Sequence, residues 1–156
     1  MRYRFVILAV AATCASAQPA DASSQFVAGP WRGQALFKDA KFTHCSMRAR
    51  FGAWRLFVSK HPNGALTLGV FNKGMNFTKG NRLNGSLQFD TVTLAHTFLA
   101  VRKDTVGARL GADSVQRFAQ AGRLRFRLGD FATEFQLMRT RDALASLSAC
   151  VAKGKP

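Results

Sequence analysis

The chain has 156 residues and is strongly basic, with 23 lysine and arginine residues against 8 aspartate and glutamate residues and a formal net charge of +15. This length fits one domain with a buried core, so we expect no second domain. No apolar stretch reaches the ~20 residues that a membrane-spanning helix needs, so we expect no transmembrane segment. The charge leaves two interpretations open: a basic surface without a dedicated partner, or attraction to something anionic.

The first 17 residues have the three parts of an export signal. Arg2 and Arg4 give a positive start, residues 5–12 are apolar, and residues 15–17 form the small-residue pattern Ala-Ser-Ala that precedes a cleavage site. We therefore predict cleavage after Ala17 and a periplasmic or secreted protein. Removing the two signal arginines leaves 21 basic against 8 acidic residues, a charge of +13. Intracellular nucleic acid is then not an expected partner.

Three cysteines lie at positions 14, 45 and 150. Cys14 lies in the predicted signal and would leave with it, because the residues before Cys14 match a lipoprotein signal poorly. Cys45 and Cys150 remain as a pair in an oxidising compartment, and we predict a disulfide between them. The alternative is a reactive thiol at Cys45, whose pKa the neighbouring His44 would lower.

Alternation of apolar and polar residues with a period of two dominates the chain after a polar segment with two prolines. We predict a flexible leader over residues 18–30 and a single β-rich domain over residues 31–156. The predicted fold class is mainly β (α+β): an antiparallel β-sandwich or barrel-like domain with a short helix and a C-terminal helix tied by the disulfide. The predicted strands cover residues 43–51, 54–60, 65–72, 86–89 and 97–103.

Several local signals set the connections between these strands. The sequence His-Pro-Asn-Gly at residues 61–64 predicts a hairpin between the second and third strands. Residues 90–96 are compatible with a strand or a short helical turn. A short helix is predicted over residues 114–121, capped by Asp113 or Ser114 and ended by the glycine that follows.

The segment 123–138 predicts a second hairpin, in which Gly129 and Asp130 suit a two-residue type II′ turn. That turn fixes the register: Leu128 faces residue 131, residue 126 faces residue 133, and residue 124 faces residue 135 on the core side. Arg125 then faces Glu134, the only glutamate of the chain, on the wet side.

A C-terminal helix is predicted over residues 140–151, with Thr140 as its cap and Gly154 just past its end. Its apolar stripe is formed by Leu144, Leu147 and Val151. Cys150 lies beside this stripe, so the disulfide ties the helix to the core face of the strand that carries Cys45.

The sequence contains none of the short motifs that mark a metal site, a nucleophile elbow or a phosphate-binding loop. We therefore expect no metal, no cofactor and no catalytic residue, and consider the protein more consistent with a binding role than with an enzyme. His44, His61 and His96 lie in different segments, and each is expected to be structural. A hydrolase with a dispersed active site is kept as an alternative.

The positive features are basic residues. Arg123, Arg125 and Arg127 recur with period two, as do Arg48 and Arg50, so each set projects from one face of a strand. If the two strands share a sheet, their polar faces form one arginine-rich surface suited to carboxylate or phosphate. The alternative is an ordinary solvated face.

A glycine-rich loop adds a second candidate anion site. It carries the basic residues Lys73, Lys79 and Arg82. Its glycines would let backbone amides approach an anion, and Phe77 would stack on a sugar or base. The same composition is typical of any long turn region.

The C-terminal pattern carries a family resemblance, through Phe135, Leu137, Thr140, Ala143, Leu144 and Leu147. It resembles the closing strand and helix of small exported bacterial proteins of the invasion-associated locus B type, over about a tenth of the chain. The chain has Arg139 where that family usually has glycine, and it lacks a clean form of the family's N-terminal tryptophan and cysteine pattern. The resemblance implies a periplasmic or surface-associated β-rich domain without known catalysis, important in contact with a host.

We therefore expect a non-catalytic exported module that uses a basic face to bind an anionic polymer, a lipid headgroup or an envelope protein. A protein-interaction or inhibitor module is the first alternative, because small disulfide-tied β domains are common scaffolds for it. The oligomeric state is not predicted.

Overall fold

The computed structural model describes residues 25–154. The predicted export signal, Cys14 and residues 18–24 of the predicted leader lie outside this range. The described residues form ten strands and two helices: β1 (Gln25–Ala28), β2 (Trp31–Lys38), β3 (Lys41–Phe51), β4 (Trp54–Lys60), β5 (Leu66–Asn72), β6 (Arg82–Phe89), β7 (Val92–Arg102), β8 (Thr105–Leu110), α1 (Ala112–Gln120), β9 (Arg123–Leu128), β10 (Phe131–Gln136) and α2 (Thr140–Gly154).

All ten strands belong to one antiparallel sheet with the order β1-β2-β3-β4-β5-β8-β7-β6-β9-β10. This confirms the predicted class, a mainly β domain with two helices. β5 is paired with β8, although β6 and β7 lie between them in the sequence. The two halves of the sheet, β1 to β5 and β6 to β10, are therefore joined by a pairing between strands that are distant in sequence.

The sheet curls until its two halves touch through their apolar faces. Trp54 of β4 lies 6.1 Å from Phe126 of β9, and Phe51 of β3 lies 5.1 Å from Phe135 of β10, both measured between ring centroids. Successive side chains of a strand point to opposite faces, so every strand gives alternate residues to this interior. The polar residues between them lie on the outside of the curl.

Helix α2 packs against β1 to β4 and against α1. Its buried stripe includes Leu147, Cys150 and Val151. The predicted disulfide is confirmed: Cys45 of β3 and Cys150 of α2 are joined, with their Cα atoms 6.2 Å apart. Lys60 Nζ adds a second tie to the sheet by donating a 2.7 Å hydrogen bond to Ser148 Oγ.

The predicted helix caps are wrong. α1 begins two residues earlier than predicted, after Gly111, and it has no side-chain cap. Thr140 is the first residue of α2, but its buried hydroxyl has no hydrogen-bond partner among the described residues. The residue before it, Arg139, has φ +55°, the left-handed region that glycine adopts at least cost.

Other elements also differ from the predictions, most of them at their ends. β1 lies inside the predicted leader, where its four residues pair with β2. Residues 92–96 belong to β7, so the helical alternative for residues 90–96 is wrong. β2 and β8 are not among the predicted strands, although Val106, Ala108 and Leu110 of β8 alternate as buried residues. No helix in the described part of the chain is long and apolar enough to span a membrane.

Candidate anion-binding groove

Two arginines of β3 lie on the outer face of the sheet, as predicted, and the register adds two more. Arg48 is paired with Arg32 of β2, and Arg50 is paired with Arg55 of β4. We call these four residues the arginine cluster. Arg55 is half-buried, with its guanidinium carbon 5.0 Å from the centroid of the Phe71 ring, and the other three are exposed.

No carboxylate forms an ion pair with any member of the arginine cluster within residues 25–154. Directly opposed like charges on neighbouring strands are destabilising, because the two side chains lie only ~5 Å apart at their Cβ atoms. The cluster therefore combines high positive charge with a cost in stability that no ion pair in this part of the chain offsets.

The cluster borders a groove made of three adjoining depressions on the outer face, with volumes of about 430, 400 and 580 Å³. The first is lined mainly by the arginine cluster itself. The largest runs from His44 and Phe57 across β5 to Asp104 and the start of β8. Neighbouring depressions share lining residues, including Arg48, Arg55 and Phe57, so they form one continuous surface.

The arginines of β9 do not join this surface, which corrects the prediction of one arginine-rich face. Both strands belong to the same sheet, but five strands separate β3 from β9 and the sheet curls between them. Because their apolar sides meet across the core, their outer sides point away from each other. Arg125 donates a 3.0 Å hydrogen bond to Glu134, and Arg123 lies 3.9 Å from it, whereas Arg127 has no ion pair among the described residues. The predicted register of this hairpin is confirmed at every pair.

Two glycine amides of the glycine-rich loop donate hydrogen bonds within the protein. Gly74 N donates to Asn72 Oδ1 at 2.7 Å, and Gly80 N donates to Ala100 O at 2.8 Å. Phe77 packs edge-on against Phe131, with 5.7 Å between the ring centroids. These hydrogen bonds and the ring contact hold the loop against the rest of the protein. Lys73, Lys79 and Arg82 are exposed and do not line the groove.

Two of the three histidines come together at one end of the groove. The rings of His44 and His61 stack with centroids 4.9 Å apart and an angle of 28° between their planes. Thr43 Oγ1 lies 3.1 Å from His44 Nδ1. His96 lies elsewhere, 3.3 Å from Ser114 Oγ. No histidine is hydrogen-bonded to a carboxylate in residues 25–154, and this range holds no cluster of three metal-binding side chains.

The histidines predict how stability depends on pH. Burial, and secondly the charge of His61, lower the pKa of His44 below its usual 6.5, and burial lowers that of His96. The pKa values of the two histidines are lower in the folded state than in the unfolded chain. Their contribution to the free energy of unfolding is therefore fully present above about pH 6.5 and is lost as the pH falls below that value. We expect the urea midpoint to decrease between pH 7.5 and 5.5, a range in which ordinary carboxylates stay ionised.

The matched test replaces His44 and His96 by glutamine. The double variant should have a nearly flat profile over the same pH range, whatever its absolute stability. An unchanged slope in the variant would show that other groups cause the dependence.

The fold and the groove describe a curled antiparallel β domain with a basic outer face. Its architecture is similar to the crystal structure of invasion associated protein B from Bartonella henselae, with a TM-score of 0.66 and 14% sequence identity over 85% of this chain and 100% of that chain. At this identity the likeness shows a shared fold. No protein-family model and no curated protein matches the sequence.

Proposed function

We propose that this protein is a non-catalytic binding module that holds an anionic partner through the arginine cluster. The observation that carries the proposal is the register, which brings four guanidinium groups together on one face without an ion pair in residues 25–154. Guanidinium groups bind carboxylate, sulfate or phosphate bidentately, so the cluster offers several such contacts side by side.

The cost of the cluster supports a role in binding. A bound anion would offset the repulsion between Arg32 and Arg48 and between Arg50 and Arg55. Sites that sacrifice stability for function are common, and replacing their residues often stabilises the free protein. The arginines of β9 are a weaker candidate site, because Glu134 already neutralises part of their charge.

We further propose that this binding takes place outside the cytoplasm, in the periplasm or after secretion. The predicted export signal supports this location, and the disulfide is compatible with an oxidising compartment. The similar fold belongs to an invasion associated protein, which favours a role at the surface of a cell in contact with a host.

The proposal predicts that Arg48→Gln, Arg50→Gln and Arg55→Gln together weaken binding to a sulfated polysaccharide matrix by about 10- to 100-fold, since each exposed charged contact contributes ~0.5–1 kcal/mol. The salt concentration needed for elution should fall accordingly. The unfolding midpoint of the variant should stay the same or rise, because two like-charge pairs are removed.

The control variant carries Arg123→Gln, Arg125→Gln and Arg127→Gln, an identical change in net charge on the opposite side of the sheet. It should elute at a salt concentration close to that of the unmodified protein. An equal loss of binding in the two variants would show that net charge alone causes the effect, and it would contradict the proposed site. A partner retained at high salt would instead indicate a protein interaction with little electrostatic contribution.

A further inference from the structure

The groove beyond the arginine cluster has an unusual floor. Phe57 of β4 is paired with Gly69 of β5, which is paired with Gly107 of β8. Two directly opposed glycines leave a patch of bare backbone in the middle of the sheet. The half-buried rings of Phe57 and Phe71 stand beside it and line the same depression.

No steric contact inside the fold excludes a side chain at these two positions. Neither has the positive φ that excludes other residues. A Cβ atom added to Gly69 would meet its nearest neighbour, the Cβ of Phe57, at 3.5 Å, and one added to Gly107 would meet Leu68 O at 3.6 Å, both ordinary contacts. Glycine within a strand weakens it, and it often marks a place where a ligand approaches the backbone closely. The bare floor is therefore open to a group that approaches the backbone from outside.

The residues around the floor define the chemistry of that group. Hydroxyl side chains lie along one edge: Ser59 Oγ donates to Ser46 Oγ at 3.2 Å, and Thr67 is paired with Ser59 in the next strand. An aromatic face, hydroxyl groups and nearby guanidinium groups suit a ring that carries hydroxyls and an acid.

We infer that the groove binds an acidic polysaccharide laid across the strands. A sugar ring rests on the floor of Gly69 and Gly107 against Phe57, and carboxylate or sulfate groups of the same chain contact the arginine cluster. This inference rests on the proposed function and names its partner class. From β2 to β7 the groove crosses six strands, roughly 24 Å at the usual strand spacing, which accommodates several sugar units.

The distribution of charge favours a polysaccharide over a nucleic acid or a membrane. Four cations lie together at the β2–β4 end, whereas at the opposite end Arg102 and Arg109 are accompanied by the carboxylate of Asp104. A nucleic acid carries phosphates at even spacing and is favoured by cations along its whole path. A membrane presents a broad surface, whereas this site is a row of depressions on the outer face.

The experiment compares the unmodified protein with a double variant that carries both Gly69→Val and Gly107→Val, which we call the floor variant. The probe is an oligogalacturonate, measured by calorimetry at fixed salt beside its methyl ester, inorganic polyphosphate and a single-stranded DNA oligonucleotide. Valine fills the floor and favours strands, so the unfolding midpoint should not fall. The control variant, Ala95→Val with Ala132→Val, adds the same kind of side chain to exposed outer positions of β7 and β10.

We expect the floor variant to bind the oligogalacturonate at least about tenfold more weakly, while its affinity for polyphosphate and the affinities of the control variant stay unchanged. The methyl ester should bind weakly to every form. Unchanged oligogalacturonate affinity in the floor variant, or tighter binding of polyphosphate or DNA than of oligogalacturonate by the unmodified protein, would overturn the inference and leave the arginine cluster as a site for another anion. If none of the anionic probes binds the unmodified protein, the inference and the proposed function both fail.

Discussion

Replacing Cys45 and Cys150 by alanine is expected to lower the free energy of unfolding by about 4–5 kcal/mol, because the bridge closes a loop with a sequence separation of 105 residues. The melting temperature should fall on the order of 15 °C. Differential scanning calorimetry of the oxidised protein and the double variant measures both quantities.

Reduction provides the control for this prediction. A thiol reductant should lower the stability of the unmodified protein towards that of the double variant and leave the variant itself unchanged. If the oxidised protein and the variant unfold at the same urea concentration, the disulfide adds nothing to stability and α2 is held by packing alone.

Phe126→Ala is expected to cost about 3–5 kcal/mol, the range for truncating a fully buried phenylalanine. Phe126 is completely buried, and its ring lies 5.3 Å from that of Phe98 and 6.1 Å from that of Trp54, so it packs where the two halves of the curled sheet meet. Urea unfolding followed by tryptophan fluorescence measures the loss.

The matched control is Arg125→Ala, on the same strand but on its outer face. It removes the exposed contact with Glu134 and should cost no more than about 1 kcal/mol. Similar losses in the two variants would contradict a core that is closed by contact between the two halves of the sheet.

The features that were predictable from the sequence are those fixed by local chemistry. The β9–β10 register follows from a two-residue turn whose glycine has φ +56° and from apolar residues that agree on one face. The same argument applies to Gly52 and Ala53, where Gly52 has φ +59° and Phe51 is paired with Trp54. Applied there, it would have placed Arg55 opposite Arg50 from the sequence alone.

The remaining parts of the candidate site depend on contacts that no local pattern encodes. The pairing of Arg32 with Arg48 depends on two irregular features. Asp39 and Ala40 form a turn in which both residues adopt positive φ although neither is glycine, and the register of β2 and β3 shifts after Leu36. Aspartate is a partial signal for such a turn, but neither alanine at a positive φ nor the register shift is indicated by the sequence. The curl of the sheet, which separates the two arginine sets, is likewise a property of the assembled core.

The floor of the groove illustrates the same limit at longer range. Gly69 and Gly107 become neighbours because β5 pairs with β8 rather than with β6, the next strand in the sequence. Each glycine, considered by itself, is an ordinary interruption of a strand pattern. Their significance becomes visible only when the strand order brings them side by side.

The position of the disulfide also orders the events of synthesis. Every strand of the sheet precedes Cys150 in the chain, whereas Cys45 belongs to the third strand. Because a nascent chain emerges from its N-terminal end, Cys45 is present as a thiol until all ten strands have been made. Covalent closure is therefore a late step, because it follows the synthesis of all the strands that it ties to α2.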